Sequence, residues 1–274
     1  MNNSSVAIAV APNGGRKTRA DHPALPLTPV ELAAAAAECL EAGAAMIHVH
    51  VRDADARHLL DPDAYRAATA AIRDAVGDRL VVQITSEALG VYKPEEQMRV
   101  VRETRPEAVS LALREYLGVG GEEKAFADFL AWLAREKAMP QVILYDAEDA
   151  RRLDWLRSKG ALPWNDVPVL YVLGRYTKTQ QSAPADLLPF LAPGEPRFGP
   201  WMVCAFGRDE AACVSTAALL GGHVRVGFEN NLLLPDGSTA RTNADLVGAV
   251  TAIIDAAGRR TMTADEMRGA WLGS

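Results

Sequence analysis

The chain is poor in the residues that staple small proteins together. It has three cysteines in 274 residues, Cys39, Cys204 and Cys213. They are odd in number and far apart, which argues against a disulfide framework and reads as reduced core residues of a cytoplasmic protein. Basic charge is also short: 29 Lys and Arg stand against 35 Asp and Glu, a net charge of −6. That argues against a nucleic-acid partner, because phosphate binding needs a basic surface. No apolar run approaches the ~20 residues of a membrane span, and the N-terminal MNNSSVAIAV lacks the character of a signal peptide. No linker, repeat or low-complexity tract interrupts the sequence, so one domain over residues 1–274 is expected. Histidine is scarce too, with five in all, and two of these lie one residue apart in an apolar run, MIHVHVRD at 46–53.

The sequence does contain a sustained alternation. Short β-rich runs at 6–12, 46–52, 80–87, 108–113, 139–146, 168–174, 201–207 and 223–230 are each followed by a helical run. The helices are expected at 29–43, 62–77, 94–105, 122–137, 147–160, 208–222 and 243–258, with a weak, proline-interrupted one at 184–191 and a last short one after Thr263. Thr28 before Pro29, with Glu31 three positions on, has the form of a capping box, and Gly77 closes the second helix. Continuous alternation implies a parallel sheet, and eight units at this length fit a single-domain α/β fold of the (β/α)8, or TIM-barrel, type. The competitor is an open doubly wound sheet. The glycines at 14 and 15 lack dinucleotide-binding spacing and run into a long loop rather than a helix.

Side chains alternate along a strand. In the second strand Ile47, Val49 and Val51 suit the helix side, which turns His48, His50 and Arg52 into the lumen. In the eighth strand Val224, Val226 and Phe228 form the helix-facing set, and Arg225, Gly227 and Glu229 face inward. Even-numbered strands share interior layers, and the C-terminal mouth carries the site in such barrels, so His50 and Glu229 can meet. An isolated carboxylate in a narrow interior is unstable by several kcal/mol unless paired or neutralised. A divalent metal satisfies it together with both imidazoles, and two histidines plus a carboxylate with an open position is a catalytic zinc pattern. The competing roles are a hydrogen-bonded core histidine and a Glu229–Arg225 ion pair.

At these residues the chain resembles the β-keto acid cleavage enzymes, typified by the 3-keto-5-aminohexanoate cleavage enzyme. The likeness includes AP-N-G-G after the first strand, PALPLTPVELAAAA, EAGAAMIHVHVRD, EAVSLAL, GRDEAACVSTAALLGGHVRVGFENN and NADLV. The resemblance implies a barrel carrying one Zn2+ on His48, His50 and Glu229. It implies a transferase that condenses a small β-keto acid with acetyl-CoA, giving acetoacetate and a new acyl-CoA, in a cytoplasmic homo-oligomer, a tetramer. It makes Arg225 a catalytic group at the metal, and Thr85 with Ser86 on the third strand and Ser110 on the fourth the hydroxyls that hold substrate.

The departures from the family pattern are specific. Arg16 replaces an acid in the first loop and suits an anionic or neutral substrate tail rather than an amine. Asn230 occupies the catalytic position after Glu229 that is usually Asp, and an amide performs no acid–base work. Glu87 and Ala88 replace paired glycines, and Glu87 is the candidate substitute for proton handling. Gln141 and Ile143 stand where acids are usual on the fifth strand, and Arg175-Tyr176 replaces a glycine pair. Two alternatives remain: a catalytically altered barrel that binds a keto acid or CoA without turnover, and a metal-dependent hydrolase of the amidohydrolase type.

Overall fold

Each β-rich run folds as a strand and each long alanine- or leucine-rich run as the helix behind it. The computed structural model describes residues 5–118 and 122–272; residues 1–4, where targeting character was sought, lie outside them. The strands are β1 (Ile8–Val10), β2 (Met46–Val49), β3 (Val81–Thr85), β4 (Ala108–Ala112), β5 (Met139–Leu144), β6 (Val169–Leu173), β7 (Trp201–Ala205) and β8 (His223–Val226). The main helices are α1 (Pro29–Glu41), α2 (Pro62–Val76), α3 (Pro94–Thr104), α4 (Glu123–Glu136), α5 (Ala147–Ser158), α6 (Glu210–Leu219), α7 (Asn243–Ala256) and α8 (Ala264–Leu272). These eight strands are parallel, and they close on themselves in sequence order, β8 pairing with β1. This is a (β/α)8 barrel.

The helix start signals act as read. Thr28 Oγ1 accepts from Glu31 N (3.3 Å), and Glu31 Oε2 accepts from Thr28 N (3.0 Å), so each end of the box satisfies one orphan amide. Gly77 takes φ 61° after α2. The weak segment at 184–191 is only a 3-10 turn, Pro184–Leu187, followed by one helical turn, Leu188–Leu191.

Alternation divides the apolar side chains into two cores. Ile47, Val49, Val224, Val226 and Phe228 pack outward under the helices. Met46, Val81, Met139, Ile143, Leu170, Met202 and Cys204 fill the lumen, where Ala264, Met267 and Trp271 of α8 join them and close the N-terminal end. All three cysteines are free and buried.

Two strand boundaries differ from expectation. The run 46–52 is not one strand: β2 stops at Val49, and Val51–Arg52 turns away to pair with His58–Leu59 in a separate antiparallel hairpin. Asp53 drives the turn, its Oδ1 accepting from Asp55 N and Arg57 N. The run 223–230 ends as a strand at Val226, because Gly227 adopts φ 137°. Asn230 N and Asn231 N then bond back to Gly227 O. Glu229 therefore reaches the lumen on a turn, not by continued strand parity.

Gly227 is required twice over, since a Cβ there would lie 2.4 Å from the Ala11 carbonyl oxygen and its positive φ is one that L side chains rarely adopt. Gly227→Ala should cost about 2 kcal/mol or more and displace Glu229. Thermal denaturation and metal content together test this; an unchanged midpoint with full metal would refute it.

Candidate metal centre

His48 continues the inward parity of Met46 and is fully enclosed. Its Nδ1 lies 2.7 Å from Gln83 Oε1, Gln83 Nε2 donates to Gln141 Oε1 (3.2 Å), and Gln141 Nε2 reaches Met202 Sδ at 3.7 Å. A thioether has no proton to give, so the relay runs one way. Each amide N–H points toward the sulfur and each amide oxygen toward His48. Gln83 accordingly accepts, the imidazole proton sits on Nδ1, and the Nε2 lone pair turns inward.

His50 lies one residue beyond β2. Asn13 brackets its backbone, donating Nδ2–H to His50 O (2.9 Å) and accepting His50 N–H at Oδ1 (3.4 Å). The Nε2 atoms of the two rings are 3.2 Å apart. Glu229 Oε2 lies 3.6 Å from His48 Nε2 and 3.4 Å from His50 Nε2. Among the described residues Glu229 Oε2 and His50 Nδ1 have no hydrogen-bond partner. Moving the His50 proton to Nε2 would satisfy one neighbour and leave two acceptors facing each other. One divalent cation satisfies all three atoms, which lie within 4.8 Å of one another. The residues fit a metal ion.

The turn that carries Glu229 is tied on several sides. Glu229 N donates to Ala11 O, Lys17 Nζ donates to Glu229 O (2.7 Å), and Phe228 N donates to Asn243 Oδ1 (2.8 Å). Buried Glu210 accepts from Gly227 N (3.3 Å) and Asn231 Nδ2 (3.4 Å). Arg52 from the hairpin donates to the carbonyls of Asn13, Gly14 and Lys17, fixing the loop opposite.

Charge is set by Arg225. Its Nη2 donates to Glu229 Oε1 (3.0 Å) and to Cys204 Sγ (3.3 Å), while Nε and Nη1 are buried without partners among the described residues. Burial alone would raise the Glu229 carboxyl, but Arg225 and the two imidazoles outweigh it and hold Glu229 well below the usual range. Burial first, with Arg225 behind it, pushes His48 down to about 3, so it stays neutral and able to coordinate.

A small inner chamber lies over the triad. Thr85, Glu87, Ile143, Tyr145, Val172, Arg175, Phe206 and Arg225 wall it together with His48, His50 and Glu229. It opens through shared walls, Glu87, Arg175, Phe206 and Glu229, into a mouth of about 260 Å³ that Arg16 and Lys17 also line.

The candidate residues thus separate by position. His48, His50, Glu229, Arg225, Thr85 and Glu87 converge on the inner chamber. Arg16 is exposed and reaches only the mouth. Ser110 is buried behind Thr85, its hydroxyl 3.4 Å from Thr85 Oγ1. Ser86 lines neither chamber: its hydroxyl donates to Ser110 O (2.7 Å) and accepts from Tyr116 (2.8 Å). Asn230 also lines neither, and among the described residues its side-chain atoms are buried without partners. Glu87 faces His50 Nδ1 and Arg175, each at 4.0 Å, with its carbonyl held by His58 Nε2 (2.7 Å). Burial raises its carboxyl, and the nearby positive groups do not cancel this. Asn13, Lys17, Gln83 and Glu210 carry supporting roles that neither periodicity nor spacing signals.

The family described as beta-keto acid cleavage enzyme matches residues 5–272. The chain belongs to the β-keto acid cleavage enzyme family. It is 30% identical over 267 residues to a 3-keto-5-aminohexanoate cleavage enzyme of Fusobacterium nucleatum, covering 95% of each chain. It is 27% identical to a 3-oxoadipate:acetyl-CoA acetyltransferase of Cupriavidus necator, covering 95% of this chain and 92% of that one. A solved complex of ObcA with oxaloacetate shares the fold at 18% identity, with a TM-score of 0.71 over 91% of this chain and 67% of that chain. The chain is an enzyme of the β-keto acid cleavage type, which sets aside the hydrolase alternative. Among the described residues, His48, His50 and Glu229 are the one cluster able to hold a metal.

Gln83→Leu removes the acceptor for His48 Nδ1–H and should weaken metal affinity about 10- to 100-fold, measured by competition with a chromogenic chelator; unaltered affinity would remove the relay from any role. Acid should also destabilise the metal-free protein. Burial holds His48 and His58 down to about 3 and His223 to about 4, against 6.5 ordinarily. Below pH 6.5 the unfolded chain takes up protons that the folded chain refuses, so stability is complete above 6.5 and is lost as pH falls toward 4. The slope is roughly 1.4 kcal/mol per pH unit for each such imidazole. Denaturant titrations at pH 7 and pH 5 with chelator present check this.

Proposed function

We propose that the chain is a zinc-dependent β-keto acid cleavage enzyme that condenses a small β-keto acid with acetyl-CoA, giving acetoacetate and a new acyl-CoA. The observation that carries it is the convergence of His48, His50 and Glu229 under a chamber with unpartnered Arg225 donors. Two imidazoles and a carboxylate with room above them suit Zn2+, which when bound supplies Lewis acidity at the keto carbonyl. Arg225 directs Nε and Nη1 at oxygens that become negative, in a site where burial strengthens the attraction. Its bond to Glu229 fixes that guanidinium in advance.

Thr85 serves as the substrate hydroxyl. Its oxygen already accepts from Ser110 and from Glu87 N, so its own proton is left to donate into the chamber. Ser110 supports it from behind, and Ser86 acts on the backbone instead of the substrate. Proton handling falls to Glu87, the carboxylate besides Glu229 that lines the inner chamber among the described residues. Asn230, an amide outside the chamber, takes no part in it. Arg16 at the mouth suits an anionic or neutral tail on the keto acid. By the family resemblance the working unit is a cytoplasmic homotetramer.

The test is product analysis with purified protein, acetyl-CoA and a panel of β-keto acids. Acetoacetate should form only when both substrates are present, and 3-oxoadipate-type acids should exceed aminated ones. His48→Ala should remove bound zinc and lower kcat by about 10³-fold or more. Preference for the amine rejects the assignment of Arg16, and ligand binding without product would favour the barrel that binds without turnover, a reading that Arg16, Asn230 and Ile143 motivate. Stoichiometric zinc on His48→Ala would refute the ligand set.

A further inference from the structure

The inner chamber contains a phenol that the chemistry above leaves unused. Met139, Gln141 and Ile143 are the inward residues of β5, and Tyr145 continues that alternation one step past the strand end. It lines the chamber beside the triad, Thr85 and Arg225. Its ring is fixed from several directions. The Arg114 guanidinium carbon lies 5.3 Å from the ring centroid, and the Tyr176 ring meets it edge-on at 4.8 Å. Its backbone N–H donates to Asp149 Oδ2 (2.8 Å), and Asp149 also receives Arg114 Nε (2.8 Å). None of these contacts uses the hydroxyl, which has no hydrogen-bond partner among the described residues. Burial, with the Glu87 carboxylate adding to it, pushes the phenol well above its usual range. It is therefore a donor that keeps its proton, not a base.

A donor held in place at the chamber wall, with no acceptor among the described residues, is suited to charge that appears only during reaction. We propose that Tyr145 is a further catalytic residue, its O–H donating a hydrogen bond to the substrate oxygen that becomes negative as the β-keto acid is cleaved. This rests on the function proposed above. Tyr145 keeps its proton throughout, so no co-reactant is needed. Arg225 and Tyr145 come from β8 and from the end of β5, so the substrate oxygens are approached from two different parts of the barrel wall.

The experiment compares the zinc-loaded protein with its Tyr145→Phe variant, which loses only a hydroxyl that bonds to nothing in the fold. The probe is acetohydroxamate, a chelating anion whose paired oxygens imitate an enolate beside a carboxylate, with affinity measured by calorimetry. The variant should bind it about 10- to 100-fold more weakly, with zinc content and thermal midpoint unchanged. In turnover kcat should fall by a similar factor while KM for acetyl-CoA is retained. Equal affinity in the two proteins, or failure of the parent to bind the probe, overturns the role of Tyr145. Absence of β-keto acid turnover in the parent counts against the proposed function alone, because the binding comparison needs no turnover.

Discussion

Three lone pairs pointed at one spot are the constraint around which the rest of the molecule is arranged. His48 Nε2, His50 Nε2 and Glu229 Oε2 face one another at 3.2 to 3.6 Å. A cluster of acceptors without a proton or cation between them is repulsive, so such an arrangement persists only when its surroundings over-determine it. The surroundings do so separately for each member. A glutamine relay ending on a thioether fixes the proton of His48 on the far nitrogen. Asn13 holds the backbone of His50, and a turn tied by Lys17, Glu210 and Asn243 presents Glu229.

Arg225 adds the second constraint. Its charge compensates Glu229 and leaves two donors unspent, so the site is poised for anionic ligands even though the protein as a whole is acidic. The net charge of the chain describes its outer surface, while the chemistry depends on a handful of largely buried groups, where each interaction is less screened. Glu87 faces His50 and Arg175 at that boundary between chamber and mouth.

Much of this was legible in the sequence, for physical reasons. A period of two places His48 and His50 on the same side as Met46 whatever the details of the sheet, and eight alternations leave few folds to choose from. Glu229 was reached by a wrong route: parity carried the strand to 230, whereas Gly227 ends it, and the carboxylate arrives at the lumen on a turn. Ser86 shows the converse, since adjacency to Thr85 in sequence means opposition across a strand, and its hydroxyl goes to the backbone. The Gln83–Gln141–Met202 relay could not be read in advance, because it links three strands and depends on how their side chains meet across the lumen. Strand parity and the family resemblance both pointed to His48, His50 and Glu229 as candidate ligands; neither indicated that Asn230 would lie outside the chamber.

The plug of α8 has a kinetic meaning. With Ala264, Met267 and Trp271 stopping one end of the cylinder, traffic is confined to a single doorway. In the two-substrate reaction proposed above, the molecule seated deepest, against the imidazoles, would have to enter first and leave last. Sealing the floor would then impose an order of loading and unloading on that reaction without any moving gate.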